Sequence, residues 1–238
     1  FFQGGYGSFV VRSLVARTDE EILDAVKQAA EVRPELEALA KSLHAECCLI
    51  ARANRDELVA VASATAAGLK ASDGLGERMP FVPPLGDSIV FNAAEEDRAY
   101  WLDKGSKASE EQQQIYQDRL AHLAEHGYAL SFLPSETSDA YTAVHNAAHE
   151  YAKGKLTPRQ EKEIRQRIQS SGVDYSMHEI ADGETYHIGS IVVPVEAGSP
   201  MTLRIAQLPA GARGDDVRRW IDQAIAAAAT ISERLRGS

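Results

Sequence analysis

Positive charge is what this sequence is short of. Its 25 Lys and Arg stand against 35 Asp and Glu, a formal net charge of −10. Nucleic-acid phosphates are neutralised by a basic face, so DNA binding by these residues is not expected. Long apolar runs are missing too: nothing approaches the ~18 consecutive apolar residues of a membrane span. No signal-peptide pattern is read. Cysteine is limited to the adjacent pair Cys47 and Cys48. Neighbours in a strand point to opposite faces, which argues against a disulfide between them, and a reducing cytoplasm is the expected compartment.

The common catalytic signatures are also missing. There is no Gly-x-Ser-x-Gly elbow, no Gly-x-Gly-x-x-Gly and no P-loop. The vicinal cysteines lie in an apolar stretch, where a thiol behaves as a small hydrophobe. Two His-x-x-x-His pairs, His122/His126 and His145/His149, each place two imidazoles on one helical face, and such a pair donates two metal ligands. Neither carries the Glu of His-Glu-x-x-His. Glu125 and Glu150 point elsewhere on the helix, and no other Cys, His or acid is spaced to complete a site. These histidines read as solvated. The acidic pairs Glu95-Glu96 and Asp215-Asp216 sit at helix starts, where they favour the dipole. The expectation is no metal, no cofactor and no enzyme activity.

What is present is an ordinary globular composition, 44% hydrophobic and 25% charged over 238 residues, enough for one large domain or one domain with an appendage. The chain is organised around residues 79–91, which follow a loop containing Gly68, Gly74 and Gly76. Pro80, Pro83 and Pro84 keep the backbone extended up to Leu85. Beyond them, Leu85, Ile89 and Val90 recur at helical spacing. An extended segment feeding a helix start exposes unpaired N–H groups, which suit a small anionic or polar ligand.

Around that stretch the elements follow in order. Phe1 to Gly4 reads as a protease-cleavage remnant, and residues 5–17 as a short strand or helical turn. Thr18 with Glu21 forms a capping box that starts a helix, interrupted at Arg33-Pro34. A second helix carries Leu36, Leu39, Ala40 and Leu43. Residues 47–51 and 58–64 read as a hairpin about Asn54-Arg55-Asp56. Residues 94–102 read as a helix ended by Gly105. A helix opened by the Ser109/Gln112 capping box runs to His126 and Gly127, and a strand over 128–133 follows. Tyr141, Val144, Ala148 and Tyr151 mark one helix. Thr157-Pro158-Gln160 opens another, with Ile164 and Ile168 inward. Residues 186–196 and 201–207 read as paired strands, and Asp215 caps a final helix. Hairpins imply antiparallel pairing, hence an α+β fold.

The order of short motifs resembles a known family. Arg-Pro-x-Leu-x-x-Leu-Ala (33–40) leads into a hairpin. Gly-x-Arg-x-Pro (76–80), Leu85-Gly86, Gly127-Tyr128-Ala129 and Ile-Val-Val-Pro-Val (191–195) follow, then a strand ending near Pro209 before an Ala-rich helix. Over residues 20–133 and 186–236 this is similar to the C-terminal effector-binding domain of IclR family transcriptional regulators. The resemblance implies a GAF-like antiparallel sheet with packed helices. Residues 1–33 then correspond to a tag remnant and linker helix and 34–238 to the effector domain, with a helical-hairpin insertion over about 134–185. It implies a small-molecule sensor whose occupancy biases DNA binding by an N-terminal winged helix-turn-helix absent from this chain. The implied pocket involves Pro84, Leu85, Ser131, Ser190, Ile205 and Gln207, and alternation sets Met201, Leu203, Ile205 and Gln207 on one face. Pro84 and Leu85 make it more apolar than a carboxylate pocket, suited to a small organic ligand with one polar or carboxylate end. A homodimer or tetramer is implied, with no membrane partner. An enzyme or metal-dependent protein on a GAF-like scaffold remains the alternative.

Overall fold

The computed structural model describes residues 29–72, 74–135, 139–154, 156–196 and 200–237. The protease remnant, the segment 5–17 and the helix expected from Thr18 fall outside the described residues. Pro34 occupies the first turn of helix α1 (Arg33–Leu43), where its missing N–H costs no hydrogen bond. Leu36, Leu39, Ala40 and Leu43 form its buried stripe.

Strands β1 (Glu46–Arg52) and β2 (Glu57–Thr65) form the first hairpin, with an irregularity between Leu49 and Ile50. Strand β3 (Arg78–Pro80) adds to the free edge of β2. After the one-turn helix α2 (Asp87–Val90) come α3 (Glu95–Asp103), α4 (Glu110–His126) and strand β4 (Ala129–Phe132). Helices α5 (Ala140–Ala152) and α6 (Pro158–Gln169) make the insertion. The pair β5 (Thr185–Tyr186) and β8 (Ala212–Arg213) is a small ribbon on its own. Strands β6 (Ile188–Glu196) and β7 (Pro200–Ala206) complete the main sheet, and α7 (Gly214–Gly237) closes the chain. The expected Ser109/Gln112 capping box is formed, and the helix start read at Thr157 is itself a capping box with Gln160.

Among the described residues the main sheet has six strands in the order β3-β2-β1-β7-β6-β4, antiparallel at every pairing. Its strands alternate between two faces. The outer face carries Cys47, Leu49, Leu203, Ile205, Ile191 and Val193, packed with the buried stripes of α1 and α7. The inner face carries Cys48, Ile50, Leu58 and Ala60, packed with Ile89, Val90, Trp101, Tyr116 and Leu120. This is the antiparallel α+β arrangement that the element order implied and the GAF-like one that the family resemblance implied.

The junction at residues 79–91 differs from expectation in one respect. Gly86 has φ +85, and a Cβ there would sit 2.4 Å from the Phe81 ring, so only glycine fits. The helix it opens is a single turn; Ala94, at ψ 149, then caps α3, whose first turn carries three acids, Glu95, Glu96 and Asp97. Three N–H groups of this turn are occupied: Ser88 N donates to Asp87 Oδ1 at 2.6 Å, and Ile89 N and Val90 N both donate to Gly86 O. The buried Asp87 carboxylate thus takes up one N–H of the helix start itself.

The insertion is a packed hairpin. Val144, Ala147 and Tyr151 of α5 meet Ile164 and Ile168 of α6, with Leu85 against the same cluster. Helix α5 lies beside β3, at one edge of the sheet. The chain then returns to the other edge, where Asp174 exchanges backbone hydrogen bonds with Phe132 of β4. Among the described residues no helix is long and apolar enough to cross a membrane.

Candidate functional site

Two strongly polar residues are embedded in apolar strands, Glu46 in Glu-Cys-Cys-Leu-Ile and Arg204 in Thr-Leu-Arg-Ile. The register puts both on the inner face. Glu46 lies opposite Ala206, Ala206 opposite Ser190, and Ser190 opposite Ser131. This gives one row across four strands, β1, β7, β6 and β4. The next inner row is Cys48, Arg204, Val192 and Ala129, and the third holds Ile50, Thr202 and Pro194. The inner face is thus mixed where the outer face is apolar.

The polar groups of these rows are held in place. Glu46 is fully buried. Its carboxylate accepts from Ser72 N at 2.7 Å, from the Ser72 hydroxyl, and from Gln207 Nε2 at 2.9 Å. Ser131 and Ser190 share a hydrogen bond at 2.8 Å. Gly189 keeps that pair accessible to the backbone, since a Cβ there would lie 2.9 Å from Ser131 Oγ. Thr202 Oγ1 donates to Val193 O and accepts from Ser88 Oγ at 2.8 Å.

From Ser88 a buried polar chain leaves the sheet. Asp87 and Arg119, 2% and 3% exposed, form an ion pair with Nε to Oδ2 at 2.7 Å. Arg119 Nη1 also donates to Leu130 O and to Tyr175 O, the latter at 2.9 Å, and the guanidinium lies over the Tyr175 ring. Sheet, α2, α4 and the segment returning from the insertion are tied through one arginine. A buried pair with this many hydrogen bonds satisfies the charge that burial would otherwise penalise. The same returning segment is fixed by Asp174. Burial raises its carboxyl pKa, but hydrogen bonds from His178 and Ser176 outweigh that and hold it below the usual aspartate value.

Of the residues expected in the pocket, Ser131 and Ser190 are brought together. Gln207 reaches the same row, although not by alternation: β7 ends at Ala206, and Gln207 takes φ +55, which directs its amide to Glu46 Oε2 and Lys70 O. Ile205 is not brought to them. It is fully buried on the outer face among α1 and α7, opposite Ile191. Met201 and Leu203 share its face, so the expected alternation holds for these three and the face it selects is the helix-packed one. Pro84 is buried, and Leu85 packs against the insertion while its carbonyl accepts from Trp101 Nε1 at 2.9 Å. Sequence reading missed Glu46, Ser88, Asp87, Arg119, Thr202 and Arg204. The signal for Glu46, Thr202 and Arg204 was a polar residue inside an apolar strand.

The histidine pairs lie apart from this row. His149 Nδ1 is 2.9 Å from Glu77 Oε1, and His145 stacks on it. His122 and His126 rings lie 4.3 Å apart, with Tyr128 edge-on to His122. Among the described residues no group of three or more His, Cys, Asp or Glu is placed to hold a metal ion. On the outer face, burial pushes the Cys47 thiol up to about 12, the Glu46 charge adding to it. At that value the sulfur is not a thiolate nucleophile near neutral pH.

No protein-family model matches the chain, and no curated protein matches it in sequence. Solved structures do match in fold. An IclR transcriptional regulator from Alicyclobacillus acidocaldarius aligns at a TM-score of 0.55 and 18% identity, over 87% of this chain and 67% of that one. A domain of another IclR family regulator aligns at 0.54 and 15% identity, over 88% of this chain and 97% of that domain. An IclR homologue from Microbacterium hydrocarbonoxydans, complexed with 4-hydroxybenzoate, aligns at 0.52 and 13% identity, over 93% of this chain and 72% of that one.

Proposed function

We propose, from a fold that matches the C-terminal domain of IclR regulators, that this chain is a small-molecule-sensing effector domain. The ligand sits on the inner face of the sheet, over the row Glu46, Ser190 and Ser131, with Thr202 and Arg204 in the adjoining rows. One observation carries this reading: the sheet has an apolar face sealed by two helices and a second face that holds a fixed set of polar groups among apolar ones. A mostly apolar wall with a few placed polar groups is what a small organic ligand needs. Arg204 on that face suits a carboxylate end, and the serine pair suits a hydroxyl or carbonyl. Pro84 and Leu85 close the site from the side of α2, and the α5–α6 hairpin acts as the lid over Leu85.

In this reading ligand occupancy biases DNA binding by an N-terminal winged helix-turn-helix of the regulator, and the protein is cytoplasmic and not an enzyme. The chain associates as a homodimer or tetramer through α7, on which Ile225, Ala226 and Ala229 are exposed. Sedimentation that finds only monomer at high concentration counts against that association.

A thermal-shift screen of small aromatic and aliphatic acids, amides and alcohols tests the pocket. A ligand at ~100 times its Kd adds ~2.7 kcal/mol to stability. Ser190→Leu fills the row and is expected to abolish the ligand-induced shift, at a cost to the unliganded fold of only about 0.5–1.5 kcal/mol from the broken bond to Ser131. A ligand that binds Ser190→Leu with unchanged affinity places the site elsewhere.

A further inference from the structure

A second, chemically different cavity lies outside the inner face. A cleft of about 810 Å³ opens between the β1–β2 turn, the C-terminal end of α3 and the solvent side of α6, and it shares no residue with the row around Ser190. One wall belongs to the sheet domain and the other to the insertion.

The carboxylates of the β1–β2 turn are already engaged. Asp56 accepts from the Lys104 amine at 2.8 Å and from the Tyr100 hydroxyl at 3.0 Å. Glu57 pairs with Arg78 and accepts from Asn54 at 2.9 Å. Lys104 also donates to Arg55 O and Phe81 O, and the Tyr100 ring carries the Arg55 guanidinium at 3.9 Å. The cations on the facing walls are not engaged in this way. Arg165 of α6 reaches Glu161 only at 3.6 Å, and its Nε is buried with no hydrogen-bond partner among the described residues. Lys107 and Lys162 stand exposed at the cleft with no ion pair among the described residues.

Five Lys and Arg line the cleft against four Asp and Glu, a positive excess in a chain whose net charge is −10. Lys104 is partly buried among these charges. Burial first, then Arg165 and Arg52, lower its pKa, and they outweigh the opposite pull of Asp56.

We propose that this cleft binds a phosphate-bearing small molecule, its oxygens held by Arg165 and Lys162 from the insertion and by Lys107 from the sheet domain. A planar guanidinium forks onto two phosphate oxygens, and ammonium groups follow as point charges. The volume exceeds what a single carboxylate fills, and cations on opposite walls suit a ligand with more than one anionic group, such as a diphosphate. Occupancy ties α6 to the end of α3, so the cleft is a second ligand site joining the insertion to the sheet domain.

Isothermal titration of the chain with sodium pyrophosphate at constant ionic strength tests this, because screening then acts equally on every sample. Saturable binding is expected for wild type, weakened about tenfold or more in Arg165→Gln and in Lys107→Gln, the scale of a lost hydrogen bond to a charged group. The two substitutions lie on different walls, and neither residue belongs to an apolar cluster, so both variants are expected to melt like wild type. Ser190→Leu is expected to bind pyrophosphate as wild type does, which separates this cleft from the inner-face site. Absence of saturable binding to wild type overturns the proposal. So does unchanged affinity in either charge variant, or loss of binding in Ser190→Leu.

Discussion

Strand β7 serves two faces with alternate residues. Met201, Leu203 and Ile205 point outward into the stripes of α1 and α7, while Thr202 and Arg204 stand on the inner face. The outer set is apolar without exception and buried to within 1%. The inner set alternates with it yet carries a hydroxyl and a guanidinium. Burial of apolar area, at ~25 cal/mol per Å², stabilises the outer layer with no demand on orientation. Polar groups buried in the inner layer need partners, and Thr202 finds one in Ser88, next to the Asp87–Arg119 pair. One face therefore holds the fold together, and the other is organised to present polar groups at fixed positions.

The comparison is broken most strongly at Arg119. Arg119→Ala is expected to cost about 3–5 kcal/mol, because it leaves Asp87 charged and buried without a partner. Urea unfolding measures it, and a loss below about 1 kcal/mol would mean that water replaces the guanidinium. On the outer face Leu203→Ala is expected to cost about 2–5 kcal/mol through lost burial and an unfilled cavity. It should leave the affinity of any ligand found for the inner face unchanged, since its side chain is on the other side of the sheet. A large affinity loss in Leu203→Ala would show that the two faces are not independent.

The elements themselves were largely legible because each follows local physics. The Ser109/Gln112 box, the Gly127 stop, the Asn54–Asp56 turn and the stripe Leu36, Leu39, Ala40 and Leu43 depend on neighbours a few residues away. Which face of β7 the helices cover does not. Alternation gives two sets, and choosing between them requires knowing where α1 and α7 pack, a long-range fact. For that reason alternation alone groups Ile205 with the expected pocket residues, whereas the structure packs it with α1 and α7. Gln207 reaches the Glu46 row for a reason unconnected with alternation, its left-handed backbone. Arg119 gave no local signal, as a charged residue in a charged helix, and its partners Asp87, Leu130 O and Tyr175 O are distant in sequence.

A smaller effect sharpens the inner face itself. Ser131→Ala removes one of two hydroxyls that bond mainly to each other, and a neutral hydrogen bond contributes about 0.5–1.5 kcal/mol net. The expected loss of stability stays in that range, and the expected effect on a ligand bound at the row is larger than on the fold. If the fold suffers more than the ligand, the serine pair is a structural bond rather than part of a binding row.

The smallest effect compares two polar side chains one turn apart on α4. Arg119 is buried with its donors engaged, whereas His122 Nε2 is buried with no hydrogen-bond partner among the described residues. Burial lowers the His122 pKa from its ordinary value of 6.5, and the nearby His126 and Arg119 lower it further, against a weaker pull from Glu125. The folded chain therefore holds this proton less tightly than the unfolded chain does. Stability from the neutral ring is complete above the unfolded value and is lost as pH falls through the lowered folded value. His122→Phe keeps a ring against His126 and Tyr128 but cannot take a proton. Melting temperatures measured from about pH 7.5 down to about pH 5.5 should fall further for wild type than for His122→Phe, with the gap opening only on the acid side. Parallel curves for the two proteins would mean that His122 is as well solvated in the folded chain as in the unfolded one. The contrast with Arg119 would then be one of charge alone and not of satisfied against unsatisfied burial.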